Sequence, residues 1–265
     1  MHGDLHVPCQ KDRTVSNQTE LNPAEKIPVP AFSVPPIILI IIGILSAIHL
    51  ALQLGGMSWQ IQAQYALAFI PIRFSTTLFP QIKGSAYWSM LTYGLLHADW
   101  THLGFNSLWL LIFSKPLVLR IGNWRYLALL AVSIIAGAIA SLVVHWGEFL
   151  VMIGISAGVS GVMAAAIPII YAPGGHWGTG SAENMVYIQP LTPMQILTQR
   201  TPLFFTLMWL ALTTFTATTQ YFTGTAFLEE RVVAWEAHLG GFFAGLIMFY
   251  LLDRNMVSQR QKIVL

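Results

Sequence analysis

Residues 151–171 read V-M-I-G-I-S-A-G-V-S-G-V-M-A-A-A-I-P-I-I-Y. The run has no charge and is dense in Gly and Ala, which reads as a membrane-embedded helix entered through Gly154-Ile155-Ser156. Small residues let helices approach closely in lipid, where burial of apolar surface does not drive association. Ser156 and Ser160 lie one helical turn apart on it. Serine is an ordinary packing residue between membrane helices. The sharper reading makes one of the two a nucleophile held below the membrane surface, and the rest of the chain must then supply its partners.

Composition sets the class. Of 265 residues, 55% are hydrophobic and only 9% are charged, against about 25% charged in a soluble domain. Too few charges remain to solvate a globular surface, so the chain is a polytopic membrane protein. The net charge of +2, with no basic run between aromatics, argues against nucleic-acid binding. Cys9, the single cysteine, rules out an intrachain disulfide.

Six apolar runs are expected to span: about Pro36–Leu54, His102–Leu119, Tyr126–Val144, Val151–Tyr171, Pro202–Phe222 and Val233–Leu252. The domain organisation follows. Residues 1–34 form a polar, proline-dotted cytoplasmic tail with no cleavable signal peptide, 35–253 the helical membrane domain, and 254–265 a short cytoplasmic tail. Lysine and arginine orient it. With the N-terminus inside, the inner segments hold Lys11, Arg13, Lys26, Lys115, Arg120, Arg125, Arg200, Arg254, Arg260 and Lys262, and the outer segments only Arg73, Lys83 and Arg231. The fold class is therefore an all-α six-helix bundle with both termini cytoplasmic. The loop from Gly55 to Trp100 carries apolar segments too short to span, which read as half-embedded.

Polar groups inside a membrane are costly and mark function by default. They fall in three places: His97 to Asn106 at the start of span two, Gly154-Ile155-Ser156 at the start of span four, and Glu236 to Gly241 at the start of span six. All three spans start on the outer side. Asn106, Ser156 and His238 thus lie at similar depth, within about 8 Å of their helix starts. His102 and Asn106 share a helical face at i,i+4. His97 and His102, at i,i+5, point apart on a regular helix. No metal site is expected, for no His-Glu-x-x-His pattern occurs, and no cofactor is called for. The aspartates, Asp4, Asp12, Asp99 and Asp253, avoid the span interiors, which excludes a paired-aspartate membrane protease. The shortage of intramembrane carboxylates weakens a proton-coupled transporter.

Serine becomes a nucleophile only when a base takes its proton, and His238 is the natural base. The N–H of Ser156 at a helix N-terminus, the Asn106 amide and His102 can supply donors to an oxyanion. Glu236, two residues from His238, does not share its face and is not cast as a third member.

At this point the chain resembles the rhomboid family of intramembrane serine proteases. The resemblance covers about residues 80–252. It rests on His97-x4-His102-x3-Asn106, on Gly154-Ile155-Ser156-Ala157 with Gly161 five residues after the serine, and on Ala237-His238-x-x-Gly241-x-x-x-Gly245. It implies a Ser156–His238 dyad, an oxyanion hole from Asn106, His102 and the Ser156 N–H, and close helix packing at Gly161, Gly241 and Gly245. It also implies cleavage of single-span membrane protein substrates in the bilayer, entering between helices two and five, with a cap near Thr223–Val233. The expected location is a bacterial cytoplasmic (inner) membrane, as a multi-pass protein with the active site towards the outer side. Two departures stand out. Trp88-Ser89 replaces the family's frequent Trp-Arg, and Gly-Ile-Ser-Ala replaces the commoner Gly-Ala-Ser-Gly. Gly158-Val159-Ser160-Gly161 matches that four-residue pattern better, but Ser160 lies a turn deeper and lacks the later glycine, so Ser156 is preferred. The competing functions are a catalytically dead relative that binds membrane clients, and a transporter or channel.

Overall fold

Pro35 and Pro36 open the first helix where a missing N–H costs nothing, and α1 runs Pro36–Leu54. The computed structural model describes residues 34–77, 79, 81–175, 188–222 and 234–263, and of 215–222 and 254–263 the backbone alone. The N-terminal tail therefore lies outside the described residues. After α1 come α2 (Gly56–Leu67), α3 (Ile72–Ser75) and α4 (Ser85–Thr92), the last tightening into a 3₁₀ turn at Tyr93–Leu95. Then α5 (Trp100–Ile121), α6 (Asn123–Val144) and α7 (Ser156–Ile170) follow. The chain closes with α8 (Pro193–Thr198), α9 (Arg200–Phe222) and α10 (Trp235–Ile263). Among the described residues the only sheet-like pairing is one antiparallel bridge, Phe69 to Met152.

Among the described residues four helices are long and apolar enough to cross a membrane: α1, α5, α6 and the Trp235–Asp253 part of α10. Helix α7 is apolar but has 15 residues, about 22 Å of helix against a hydrocarbon core of roughly 30 Å. Helix α9 has 23 residues, but its side chains are described only as far as Thr214. Length and composition thus carry four of the six expected spans. Where a short tail was expected from residue 254, α10 continues as helix to Ile263.

Helix α7 is the centre of the bundle. It packs against α5, α6 and α10, and every residue from Ala157 to Ile170 is buried. Absent side chains make this possible. A Cβ on Gly245 would overlap the backbone of Gly161, and one on Gly241 would overlap the carbonyl of Ala157. The two backbones therefore meet directly, as small residues allow in lipid.

At the opposite end from Ser156, Arg120 of α5 ties the bundle together. Its Nε donates to Asp253 Oδ1 at 2.7 Å and its Nη2 to Oδ2 at 3.0 Å, while Nη1 donates to the Ile188 carbonyl at 2.7 Å. Both side chains are buried, so removing one charge strands the other. Asp253→Asn is expected to destabilise the protein by about 3–5 kcal/mol, read as a lower midpoint of thermal unfolding in detergent. An unchanged midpoint would show that this end is held otherwise.

The loop between α1 and α5 is anchored by a residue that sequence reasoning passed over. Arg73 is buried, and its guanidinium donates to the carbonyls of Ala68, at 2.9 Å, and Tyr65. Trp88 Nε1 donates to Ala66 O at 2.8 Å and Thr92 Oγ1 to Leu67 O at 2.9 Å. Ser89 Oγ donates to Ala86 O at 3.0 Å, while the side chains of Arg73, Trp88 and Thr92 hold residues 65–68. On α9, Thr213 and Thr214 bond back to helix carbonyls, as expected from their short hydroxyls. Trp209 packs edge-on against Trp109 of α5, centroids 5.6 Å apart.

Candidate active site

Helix α7 begins at Ser156, not at Val151. Residues 151–155 lead in outside the helix, with Met152 in a bridge and Ile155 in a turn. Met152 pairs with Phe69 of the anchored loop, through N–H···O bonds of 2.9 and 3.1 Å, and Gly154 N donates to Tyr93 O at 3.0 Å. The loop therefore fixes where the helix starts. Ser156 occupies the first helical position, where backbone N–H groups have no partner inside the helix.

His238 lies in the first turn of α10, three residues after Trp235. Its Nε2 is 2.8 Å from Ser156 Oγ, although the two residues are 82 positions apart. That is hydrogen-bond distance for a serine hydroxyl donating to an imidazole. No partner for His238 Nδ1 occurs among the described residues. Among the described residues no carboxylate is hydrogen-bonded to the His238 ring. Glu236 faces elsewhere, with its Oε1 3.4 Å from His145 Nε2. The glycine packing of α7 on α10 is what sets the approach of serine to histidine.

Ser160 is placed differently. It is fully buried, and its Oγ donates to the Ser156 carbonyl at 2.9 Å. A hydroxyl committed to the helix backbone and sealed from solvent has no access to a substrate.

His102 stands across Gly154 from the serine. A Cβ on Gly154 would lie 2.7 Å from His102 Cε1, 2.9 Å from Nε2 and 3.8 Å from Ser156 Oγ. Gly154 also has φ +113°, a conformation L side chains rarely adopt. Glycine is therefore required here twice, by backbone and by space. Asp99 caps α5 by accepting from His102 N at 2.8 Å, which fixes the turn that carries the imidazole. One turn further in, Asn106 is 4% exposed, and its Nδ2 has no hydrogen-bond partner among the described residues. A buried amide donor left unspent is costly and is what an oxyanion hole holds ready.

His97 corrects the expectation from i,i+5 spacing. Its ring lies 5.2 Å from that of His102, edge to face. Helix α5 starts at Trp100, so His97 sits on the preceding loop, which folds it back. Burial pushes His97 down to about 3, with His102 and His49 adding to the effect. It is thus neutral across the physiological range and is no reservoir of charge beside the dyad. His49 is buried with its ring edge to face with Trp100, centroids 4.6 Å apart, and its Nε2 has no hydrogen-bond partner among the described residues.

An apolar groove reaches Ile155, the residue before the serine. Ser156, His102 and His238 are each partly exposed, and the cap expected near Thr223–Val233 lies outside the described residues. No group of three or more His, Cys, Asp or Glu suited to a metal occurs among the described residues.

A family model described as Rhomboid domain matches residues 84–255, a stretch that includes Asn106, Ser156 and His238. Comparison with curated proteins gives no match.

Proposed function

The chain belongs to the rhomboid family, whose members are intramembrane serine proteases acting on membrane proteins in the bilayer, and from that premise we propose that Ser156 and His238 are its catalytic dyad. The observation that carries the reading is the 2.8 Å contact between His238 Nε2 and Ser156 Oγ. Ser156 Oγ attacks the scissile carbonyl carbon while its proton passes to His238 Nε2. The carbonyl oxygen becomes an oxyanion, held by the Ser156 N–H, the Asn106 Nδ2 donor and His102. Collapse breaks the C–N bond, and His238 returns the proton to the leaving amine. Water then attacks the acyl-enzyme ester by the same route in reverse and frees Ser156. A third group is not part of the proton transfer, because an acidic partner orients the base and stabilises its imidazolium without taking the proton itself.

The proposed substrates are single-span proteins entering between α5 and α9. The two helices meet there through ring contacts, Trp109 on Trp209 and Phe113 on Phe205, which can part without breaking hydrogen bonds. The reading places six spans in a bacterial cytoplasmic membrane with the dyad towards the outer side. The lysine and arginine distribution supports that orientation.

The test is cleavage of a single-span reporter by the protein in proteoliposomes. The wild-type chain is expected to release two fragments cut in or near the span. Asn106→Ala is expected to lower kcat by about 10²–10³ with little change in KM, because its donor acts on charge that develops in the transition state. A reporter left intact would favour client binding over proteolysis. Full-rate cleavage by Asn106→Ala would remove it from the oxyanion hole.

A further inference from the structure

Ile155, the residue that departs from the family's usual serine motif, leads to a second site. It is 4% exposed and helps line a groove of about 380 Å³. Ile41, Ile44 and Leu45 of α1 form one wall, Leu127 to Ile134 of α6 the other, and Leu91 to Leu95 the side between them. Exposure falls from rim to floor. Ile44 is 51% and Leu91 43% exposed, while Leu45, Leu130 and Ile134 are buried.

We infer that this groove binds a single lipid acyl chain, which buttresses the start of the serine helix. Three observations choose that occupant. First, the groove offers nothing to a polar ligand. The one side-chain hydroxyl lining it, on Thr92, already donates to Leu67 O at 2.9 Å. Apolar cavities of this kind stay dry and take hydrocarbon.

Second, its two walls are helices that meet the criteria for crossing a membrane. Outside the groove these helices present exposed apolar side chains, Leu39 and Ile40 on α1 and Val132 and Ile139 on α6. Ile44 lies roughly 12 Å along α1 from Pro36 and 15 Å from Leu54. The opening therefore faces bilayer hydrocarbon, away from headgroups.

Third, at about 380 Å³ the groove is of small-ligand size, which one flexible alkyl chain can fill.

The groove also bears on the site. Leu130 and Ile134 line it and at the same time abut Gly158, whose Cβ would meet each of them at 2.8 Å. Gly158 is two residues after Ser156, and Ile155 is the residue before it. An acyl chain filling the groove presses on the wall that holds the first turn of α7.

The test uses the full chain in vesicles of phosphatidylcholine with a photoactivatable diazirine in one acyl chain. After irradiation, adducts are mapped by peptide mass spectrometry. They are expected on Leu91–Leu95, Ile155 and Leu127–Ile134. Ala131→Trp, which fills the groove from α6, and Ile41→Trp, which fills it from α1, are each expected to cut groove labelling at least tenfold. Labelling around exposed Val143 stays unchanged and reports intact insertion. Groove labelling that survives both substitutions while Val143 labelling persists would overturn the proposal. So would a groove labelled no more than Val143, or a cross-link there joining two copies of the chain. Because the readout is the adduct, the outcome does not depend on whether the chain cleaves a substrate.

Discussion

Ser156→Ala is expected to eliminate cleavage of a transmembrane reporter, lowering kcat by on the order of 10⁶, while the protein keeps its fold. Loss of a serine nucleophile in a soluble protease has about that effect. The hydroxyl is the group that His238 Nε2 reaches at 2.8 Å, and alanine leaves nothing to attack with. His238→Ala is expected to fall as far, since the two act as one unit, and the double variant no further. Ser160→Ala supplies the contrast. Its hydroxyl only bonds back to the Ser156 carbonyl at 2.9 Å, a contact the helix does not need. That variant should retain activity to within a few-fold. Steady-state rates for the four proteins settle the matter. Equal losses in Ser156→Ala and Ser160→Ala would mean that the seryl hydroxyls act through packing.

The second large effect is structural. Gly245→Val is expected to separate α10 from α7 and remove activity and stability together. A Cβ at this position meets the backbone of Gly161, which no rotamer change can relieve. Overpacking in a core costs typically about 1–3 kcal/mol where side chains can shift. With backbone on the other side the cost exceeds that range, and His238, seven residues earlier on the same helix, moves with it. Gly43→Ala is the control. Its Cβ meets no atom within 4 Å, so the midpoint of thermal unfolding should hold or rise slightly. Should Gly245→Val unfold at the wild-type midpoint, direct backbone contact would not be what holds the two helices.

What was legible in the sequence had local causes. An uncharged apolar run marks a span because length and hydropathy are read residue by residue, and α1 has the expected bounds, Pro36–Leu54. The entry to α7 was legible only in part: Gly154-Ile155-Ser156 reads as the way in, but the expected span began at Val151 and the helix begins at Ser156. The convergence of α5, α7 and α10 was legible because glycine and polar residues recur near the ends at which these helices begin.

What was not legible needed a partner distant in sequence. Arg120 and Asp253 are 133 positions apart, and although each ends an apolar run, nothing local pairs them. Arg73 was counted only as an outer charge, yet it holds its own loop through backbone carbonyls that any sequence would offer. His97 misled because i,i+5 spacing has meaning only within one helix, and α5 begins three residues later. Ile155 read as a peculiarity of the serine motif. Only the placement of α1 and α6 shows it lining an apolar groove.

The central claim is that Ser156, activated by His238, is the nucleophile. The most direct measurement is peptide mapping of the protein after reaction with a fluorophosphonate, which phosphonylates activated serine hydroxyls. A single adduct on Ser156, absent in His238→Ala, is the result this account predicts. An adduct on Ser160, or one on Ser156 that forms at the same rate without His238, would contradict it.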